Sequence, residues 1–190
     1  MNATINLENK HFPVLLNELI SIISPLYGGT FIDCTFGQGG YSEKILENKK
    51  NNIIAIDRDK DVLSIASKLQ KKYNNRFKFY NIKFSQLNKI KLEEHELKGI
   101  IFDLGYSLNQ IKNSKKGLSF SDTGKLNMRM GINDFSANDI ISSMDESNLR
   151  KVFKIFGDES HSKKIAKEII KRRKEKVIKT EDLVQIIDDV

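Results

Sequence analysis

The chain has 190 residues, of which 39% are hydrophobic and 30% charged, with a formal net charge of +7. This length suits one domain, or one domain and part of another, and the composition is that of a globular rather than a disordered protein. The sequence has no apolar run near the roughly 20 residues that a membrane helix needs, no signal-peptide pattern at its start and a single cysteine, Cys34, so we expect a cytoplasmic protein without a membrane segment or disulfide.

The first hundred residues alternate between helical patterns and short apolar runs. The helical patterns, the first with Pro13 in its first turn, predict helices at 13–24, 40–48 and 60–72. The apolar runs predict strands at 30–36, 52–57, 77–82 and 99–104. Strands that alternate with helices predict an α/β fold with a parallel sheet, because parallel strands need crossover connections.

From about residue 105 the pattern changes. Residues 105–134 have little periodicity and many turn formers, and a loop of this length is usually functional or disordered. Only helical patterns follow: residues 145–157 with Gly157 as a stop, residues 162–176, and residues 180–190 with Thr180 as a cap. We therefore predict an α/β core at 1–110, an irregular active-site or substrate loop at 111–135 and a basic helical domain at 136–190.

The positive charge is concentrated in the helical part. Residues 151–179 hold 11 Lys or Arg against 4 Asp or Glu, and the rest of the chain holds 21 of each. A basic surface would attract the phosphate backbone of a nucleic acid. A solvated helix face in a lysine-rich proteome explains the same charge equally well, so charge alone leaves both interpretations open.

Acidic residues mark the ends of three predicted strands. The first strand gives Asp33 and a glycine turn, the second ends at Asp57, and the fourth ends at Asp103. Ligands of open parallel sheets bind beyond the carboxyl ends of the strands, so we expect these loops to converge on one cavity. Glycines would let the backbone approach a ligand there, and Asp57 could accept hydrogen bonds from ribose hydroxyls.

Structural interpretations of the same residues stay open. Asp33 could cap the following turn, and Asp57 the following helix. Phe84 could stack on an adenine or belong to the core, and the residues alone favour the core. Ser42 stands where a dinucleotide-binding turn has its third glycine, so a nicotinamide or flavin cofactor is less expected. The histidines at 11, 95 and 161 lack metal-ligand spacing, so we predict no metal site.

Six motifs between residues 11 and 130 occur in the order and spacing of one known family: "HFPVLL", "DCTFGQGGYS", "AIDRD", "FDLGYS…Q", "KGLSF" and "NMRM". The chain resembles the bacterial 16S ribosomal RNA (cytosine-N4)-methyltransferases of the RsmH (MraW) type and their mitochondrial relatives. The helical part resembles that family's inserted helical domain more loosely. The resemblance implies a class I, Rossmann-like methyltransferase fold, S-adenosylmethionine as cofactor, and a decoding-centre cytidine of the small ribosomal subunit as substrate.

The resemblance also implies roles for individual residues. The cofactor would be bound by Gly39, Gly40, Tyr41, Asp57, Phe84, Asp103 and Gln110. Asp103 is also expected to act in catalysis with Tyr106, which has the spacing of the aromatic residue in other amino-methyltransferases. The phosphates of 16S rRNA would be bound by the basic residues Lys163, Lys164, Lys167, Lys171, Arg172, Arg173 and Lys174.

The chain departs from the family pattern in several places. Tyr41 stands where histidine is common, Asn127 stands where aspartate is usual, and the lip of the pocket differs at Tyr106, Leu108 and Asn109. The chain also ends inside the region that resembles the helical insertion, so we expect an incomplete sheet and an apparently truncated protein. The alternative function is therefore a non-catalytic RNA-binding remnant of such an enzyme.

Overall fold

The computed structural model describes residues 13–23, 25–92, 97–106, 110–111, 113–121 and 123–190. The chain divides into two compact units, residues 1–104 and residues 105–190. Four residues considered above lie outside the described part: His11, His95, Leu108 and Asn109. Within the described part, no helix has the length and apolar character that crossing a membrane would require.

The first unit contains a four-stranded sheet. Its strands are β1 (Gly29–Asp33), β2 (Asn51–Ile56), β3 (Phe77–Tyr80) and β4 (Leu97–Ile101). They lie in the order β3-β2-β1-β4, and every neighbouring pair is parallel. The predicted α/β class with a parallel sheet is therefore confirmed, and the carboxyl ends of all four strands lie at the same edge.

The described residues of this unit form three α-helices: α1 (Leu16–Ile23), α2 (Gly40–Leu46) and α3 (Leu63–Tyr73). The prediction that Pro13 lies in the first turn of α1 is wrong. Leu15 has a positive φ of 51°, a left-handed conformation that a right-handed helix cannot include, so α1 begins only after it. The predicted second and third helices are confirmed, the third preceded by a short 3₁₀ turn at Lys60–Val62.

Alternate residues of the strands enter two different cores, as the period of two in a strand requires. Phe31, Ile53 and Phe77 are buried in the larger core, against apolar residues of α1, α2 and α3. Ile32 and Ile56 face the other side of the sheet, where residues 82–90 pack against them. The continuous apolar runs of β1 and β2 arise because both faces of these two strands are buried, whereas β3 and β4 are partly exposed.

Four α-helices lie in the described part of the second unit after residue 123: α4 (Ala137–Ser143), α5 (Glu146–Phe156), α6 (Ser162–Arg172) and α7 (Thr180–Asp188). The predicted bounds of α5 are confirmed, with Asp145 as its cap and Gly157 at its end. The prediction of Thr180 as the cap of α7 is wrong, because Thr180 is its first helical residue. There the Asp182 carboxylate accepts the Lys179 N–H, at 2.9 Å.

The irregular segment before α4 is attached to these helices within the same unit. Leu126 is buried with residues of all four helices, among them Leu149 and Ile169. The carbonyls of Leu126 and Asn127 accept the first backbone N–H groups of α4, at 2.7 and 3.0 Å. Gly124 O accepts hydrogen bonds from Thr180 at the start of α7. The segment therefore contributes to the core of the second unit.

Candidate functional site

The loops after β1 and β2 are joined by the carboxylate of Asp57. One oxygen, Oδ2, accepts the Gly37 N–H at 2.8 Å, and the other, Oδ1, accepts the Asp59 N–H at 2.8 Å. The side chain is half-buried, and this burial raises the pKa of Asp57. Each carboxylate oxygen can accept a further hydrogen bond, so the group retains acceptor capacity for a ligand.

Asp57 does not cap the following helical turn, so the capping interpretation of this residue is wrong. The residue at the cap position is Asp59, whose Oδ1 accepts the Asp61 N–H at 3.1 Å. The first two of the three carboxylates of "DRDKD" are therefore used differently: Asp59 begins the turn, and Asp57 holds the glycine loop. Sequence spacing alone could not assign these roles, because both residues precede the same turn.

The glycine turn is shaped by close packing within the protein. Gly39 has a φ of +78°, and a Cβ there would lie 2.9 Å from the Phe36 ring. A Cβ on Gly40 would lie 2.2 Å from Cγ of Pro13. Both glycines are therefore required by internal contacts, in addition to any approach of a ligand. At Gly37 a Cβ would meet nothing closer than the Thr35 carbonyl oxygen at 3.8 Å. The space beside Gly37 is therefore not filled by the described part of the protein.

Asp33 is completely buried below this turn. Its Oδ2 accepts the Ser42 hydroxyl at 2.7 Å, and its Oδ1 accepts the Thr35 N–H at 3.2 Å. Burial raises the pKa of Asp33 to about 6, although both hydrogen bonds oppose the rise. The turn-capping interpretation of Asp33 is thus supported by the Thr35 contact. The Ser42 contact explains why a hydroxyl stands where a dinucleotide-binding turn has glycine.

Asp103 lies just beyond the end of β4 and is exposed. Its N–H donates to the Thr35 hydroxyl oxygen at 2.8 Å. Its Oδ2 lies 3.4 Å from the Tyr41 hydroxyl, which donates to the Val14 carbonyl at the shorter distance of 2.5 Å. Burial, together with the charge of Asp103, raises the pKa of Tyr41 to about 12, so the phenol stays protonated at neutral pH.

Hydrogen bonds therefore join the loops after β1, β2 and β4, but the groove beside Asp103 does not include all of them. The groove has a volume of about 440 Å³ and lies between α1 and β4, where its polar lining residues are Glu18, Tyr41 and Asp103. Neither Gly39 nor Asp57 lines it. The expectation of one cavity shared by all three acidic strand ends is not met by this groove.

Phe84 is 43% exposed, so its interpretation as a core residue is wrong. Its ring meets the ring of Phe102 edge to face, with centroids 5.6 Å apart. Phe102 is itself 49% exposed and immediately precedes Asp103. The pair leaves apolar aromatic surface uncovered near the ends of β3 and β4, and such surface can pack against a planar heterocycle.

The remaining predicted residues belong to the second unit. There Tyr106 is 65% exposed and Gln110 is half-buried. The two arginines of the predicted RNA-binding set make internal hydrogen bonds: Arg172 binds Glu168 and Asp189, and Arg173 donates to backbone carbonyls at the end of α4. The five lysines of that prediction are exposed: Lys163, Lys164, Lys167, Lys171 and Lys174.

Sequence reasoning assigned no functional role to three residues that shape the first unit's site. Ser42 had a signal, because a serine replaced an expected glycine. Phe102 had only its position before Asp103 as a signal. Thr35 had none, because its partner Asp103 lies 68 positions away in the chain.

Comparison with known proteins gives a consistent result. The model of the MraW methylase family matches residues 8–190. A ribosomal RNA small subunit methyltransferase H of Orientia tsutsugamushi (strain Boryong) is 40% identical over 174 residues, which is 92% of this chain and 56% of the relative. Proteins of the same name from Rickettsia massiliae and Rickettsia africae are 41% and 39% identical, over 87% and 94% of this chain and 53% and 58% of theirs. The chain thus spans about half the length of the curated relatives it matches.

Replacing Asp33 by asparagine tests the cost of the buried charge. The pKa of Asp33 is about 6 in the folded chain and 3.8 ordinarily, so the folded state takes up this proton first as the pH falls. The charge therefore costs stability above pH 6, and the cost disappears on acidification. Between about pH 7.5 and pH 4.5, we expect the parent chain's free energy of unfolding to rise by about 2 kcal/mol relative to the Asp33→Asn variant.

Urea titrations of both chains over this pH range measure the difference. All other titratable groups are common to the two chains, so their contributions cancel to a first approximation. Parallel pH profiles would contradict the raised pKa of Asp33.

Proposed function

The chain belongs to the MraW methylase family, and from this membership we propose that it methylates the exocyclic N4 of a cytidine in small-subunit ribosomal RNA. The proposed methyl donor is S-adenosylmethionine, and the proposed setting is the cytoplasm. One observation carries the proposal. The loops after β1, β2 and β4 are held together by the Gly37–Asp57 and Thr35–Asp103 hydrogen bonds, at the edge of the sheet where such ligands bind.

The residues present fit this cofactor. A ribose needs hydrogen-bond acceptors, and both oxygens of Asp57 retain capacity beyond their backbone contacts. The ammonium group of a methionine moiety needs a carboxylate, and Asp103 is exposed while the Tyr41 proton is directed to the Val14 carbonyl. An adenine needs apolar aromatic surface, which Phe84 offers. Gly39, Gly40 and Gln110 would complete the set, as the resemblance implies.

The bound cofactor would supply an electrophilic methyl group. The protein's task is to prepare the cytosine amine, whose lone pair is delocalised into the ring and is therefore weakly nucleophilic. The Asp103 carboxylate and the carbonyl groups of residues 104–106 can accept hydrogen bonds from the amine N–H groups, which returns electron density to the nitrogen. Tyr106 would stack on the unstacked base and orient it.

The exposed lysines of α6 would bind the RNA backbone. Lys163, Lys167 and Lys171 recur every four residues, so they lie on one face of the helix. Among the described residues, Lys171 alone of these three lies near a carboxylate: its Nζ is 3.9 Å from Glu168, and an exposed ion pair of this kind contributes little. This stripe can therefore exchange its counterions for phosphates.

Replacing Asp57 by asparagine tests the cofactor site. We expect the dissociation constant for S-adenosylmethionine to rise about tenfold or more, because hydrogen bonds to a charged acceptor are lost. Isothermal titration calorimetry measures it. Asp61→Asn is the matched control, since it removes the same charge from an exposed position nearby.

Two results would count against this assignment. If the Asp57 and Asp61 variants bound S-adenosylmethionine with equal affinity, Asp57 would not be a cofactor-binding residue. Failure of the parent chain to bind S-adenosylmethionine would contradict the enzymatic proposal and favour the RNA-binding remnant.

Replacing Tyr106 by alanine tests base stacking. We expect the rate of methyl transfer to a cytidine-containing rRNA fragment to fall about tenfold or more, because a stacking contact is lost. Tyr106→Phe keeps the ring and should retain most of the rate. Single-turnover measurements with saturating cofactor separate this step from cofactor binding, and an unchanged rate in the alanine variant would reject the stacking role.

Charge reversal of Lys163, Lys167 and Lys171 to glutamate tests the RNA surface. We expect weaker binding of an rRNA fragment. We also expect the slope of log affinity against log salt concentration to fall in magnitude by about two to three. Fluorescence anisotropy at several salt concentrations measures the slope. A control triple of exposed lysines in the first unit should leave the slope less changed: Lys49, Lys68 and Lys71. Equal slopes in both triples would contradict a specific role for α6.

A further inference from the structure

Thr35 connects the carboxyl ends of two strands, although nothing so far assigns it a function. It lies two residues beyond the end of β1. Its N–H donates to Asp33 Oδ1 at 3.2 Å, and its hydroxyl oxygen accepts the Asp103 N–H at 2.8 Å. The Thr35 side chain therefore connects the end of β1 to Asp103. This is the residue proposed to bind the cofactor's ammonium group and to accept hydrogen bonds from the cytosine amine.

The backbone of Thr35 is itself anchored from below. Asp33 has no exposed surface, and its second oxygen accepts the hydroxyl of Ser42, which is also completely buried. Ser42 belongs to the first turn of α2, which begins at Gly40. The contacts form a continuous series from α2 through Ser42, Asp33 and Thr35 to Asp103. Within this series Asp33 and Ser42 are buried and hydrogen-bonded to each other, and a buried pair of this kind holds one geometry.

The Thr35 contact holds Asp103 at a point where the regular pairing of strands has already ended. Regular pairing of β1 with β4 ends at Ile101, whose carbonyl accepts the Cys34 N–H at 2.9 Å. Asp103 lies beyond that point and is exposed, so close packing does not fix its backbone. The Thr35 hydroxyl extends the connection between the strands by two residues, with a side chain in place of a backbone carbonyl.

We propose that Thr35 is a positioning residue for Asp103. It fixes the Asp103 backbone so that the carboxylate stays 3.4 Å from the Tyr41 hydroxyl, beside the glycine turn. The role rests on the proposed function, in which this carboxylate receives the cofactor's ammonium group. Holding the carboxylate in place before binding reduces the ordering that binding must impose, and this strengthens binding without a direct contact from Thr35.

The test uses Thr35→Val, which keeps the shape of the side chain and removes the hydroxyl, and Thr35→Ser, which restores it. Thr30→Val is the matched control, because it makes the same change at the amino end of the same strand. Hydrogen exchange of the Asp103 amide, measured by NMR without cofactor, reports the contact itself. We expect exchange about tenfold faster or more in Thr35→Val and near the parent rate in the other two chains.

Calorimetric titration with S-adenosylmethionine then measures the consequence. We expect the dissociation constant to rise about three- to tenfold in Thr35→Val and to change by less than about twofold in Thr35→Ser and Thr30→Val. A purely structural role would instead speed exchange throughout β1 and β2 in Thr35→Val.

The outcomes separate this inference from the function on which it rests. Equal exchange of the Asp103 amide in the parent and Thr35→Val chains would overturn it. Faster exchange with unchanged cofactor affinity, or faster exchange throughout the sheet, would overturn it as well. If the parent chain bound no cofactor, the proposed function would fail, and the Asp103 exchange rates would still decide whether Thr35 holds that residue.

Discussion

A carboxylate buried at the end of β1 constrains the site of the first unit. Burying a charged group is costly unless hydrogen bonds compensate it, and Asp33 receives these from the Ser42 hydroxyl and the Thr35 N–H. This requirement fixes where α2 begins relative to β1, and it orients Thr35 toward Asp103. Between these anchors the chain has only a short turn, which is why its glycines are closely packed against Phe36 and Pro13.

The sheet was predictable because its signals are local. Each strand is a short apolar run, and the alternation with helices allows few arrangements other than a parallel sheet. The bounds were less accurate. The fourth strand was expected at 99–104 but extends from Leu97 to Ile101, because its limits are set by pairing with β1, which ends at Asp33. The start of α1 was likewise determined by the left-handed backbone of Leu15, for which a leucine gives no signal.

The location of the three aspartates was predictable because their position along a strand decides it. Asp33 ends β1, and Asp57 and Asp103 follow β2 and β4, so their common edge was foreseeable. What each carboxylate does depended on partners distant in sequence: Asp57 receives the Gly37 amide, while Asp59 takes the capping role. The exposure of Phe84 could not be predicted from the sequence either, because it depends on whether other residues cover the ring. The ring beside it belongs to Phe102, which is itself half-exposed.

The basic residues of the second unit show why composition overstates a binding surface. Arg172 and Arg173 contribute to the charge excess of residues 151–179, yet their guanidinium groups bind carboxylates and the carbonyls of Ile141 and Met144. A planar group with five donors suits such internal contacts, whereas the compact, strongly hydrated ammonium of lysine favours solvent. The charge available to an external phosphate is therefore carried mainly by lysines, and their spacing on α6 concentrates it on one face. A polyanion approaching this unit would meet that face, so residue type together with helical spacing locates the candidate RNA surface more closely than net charge does.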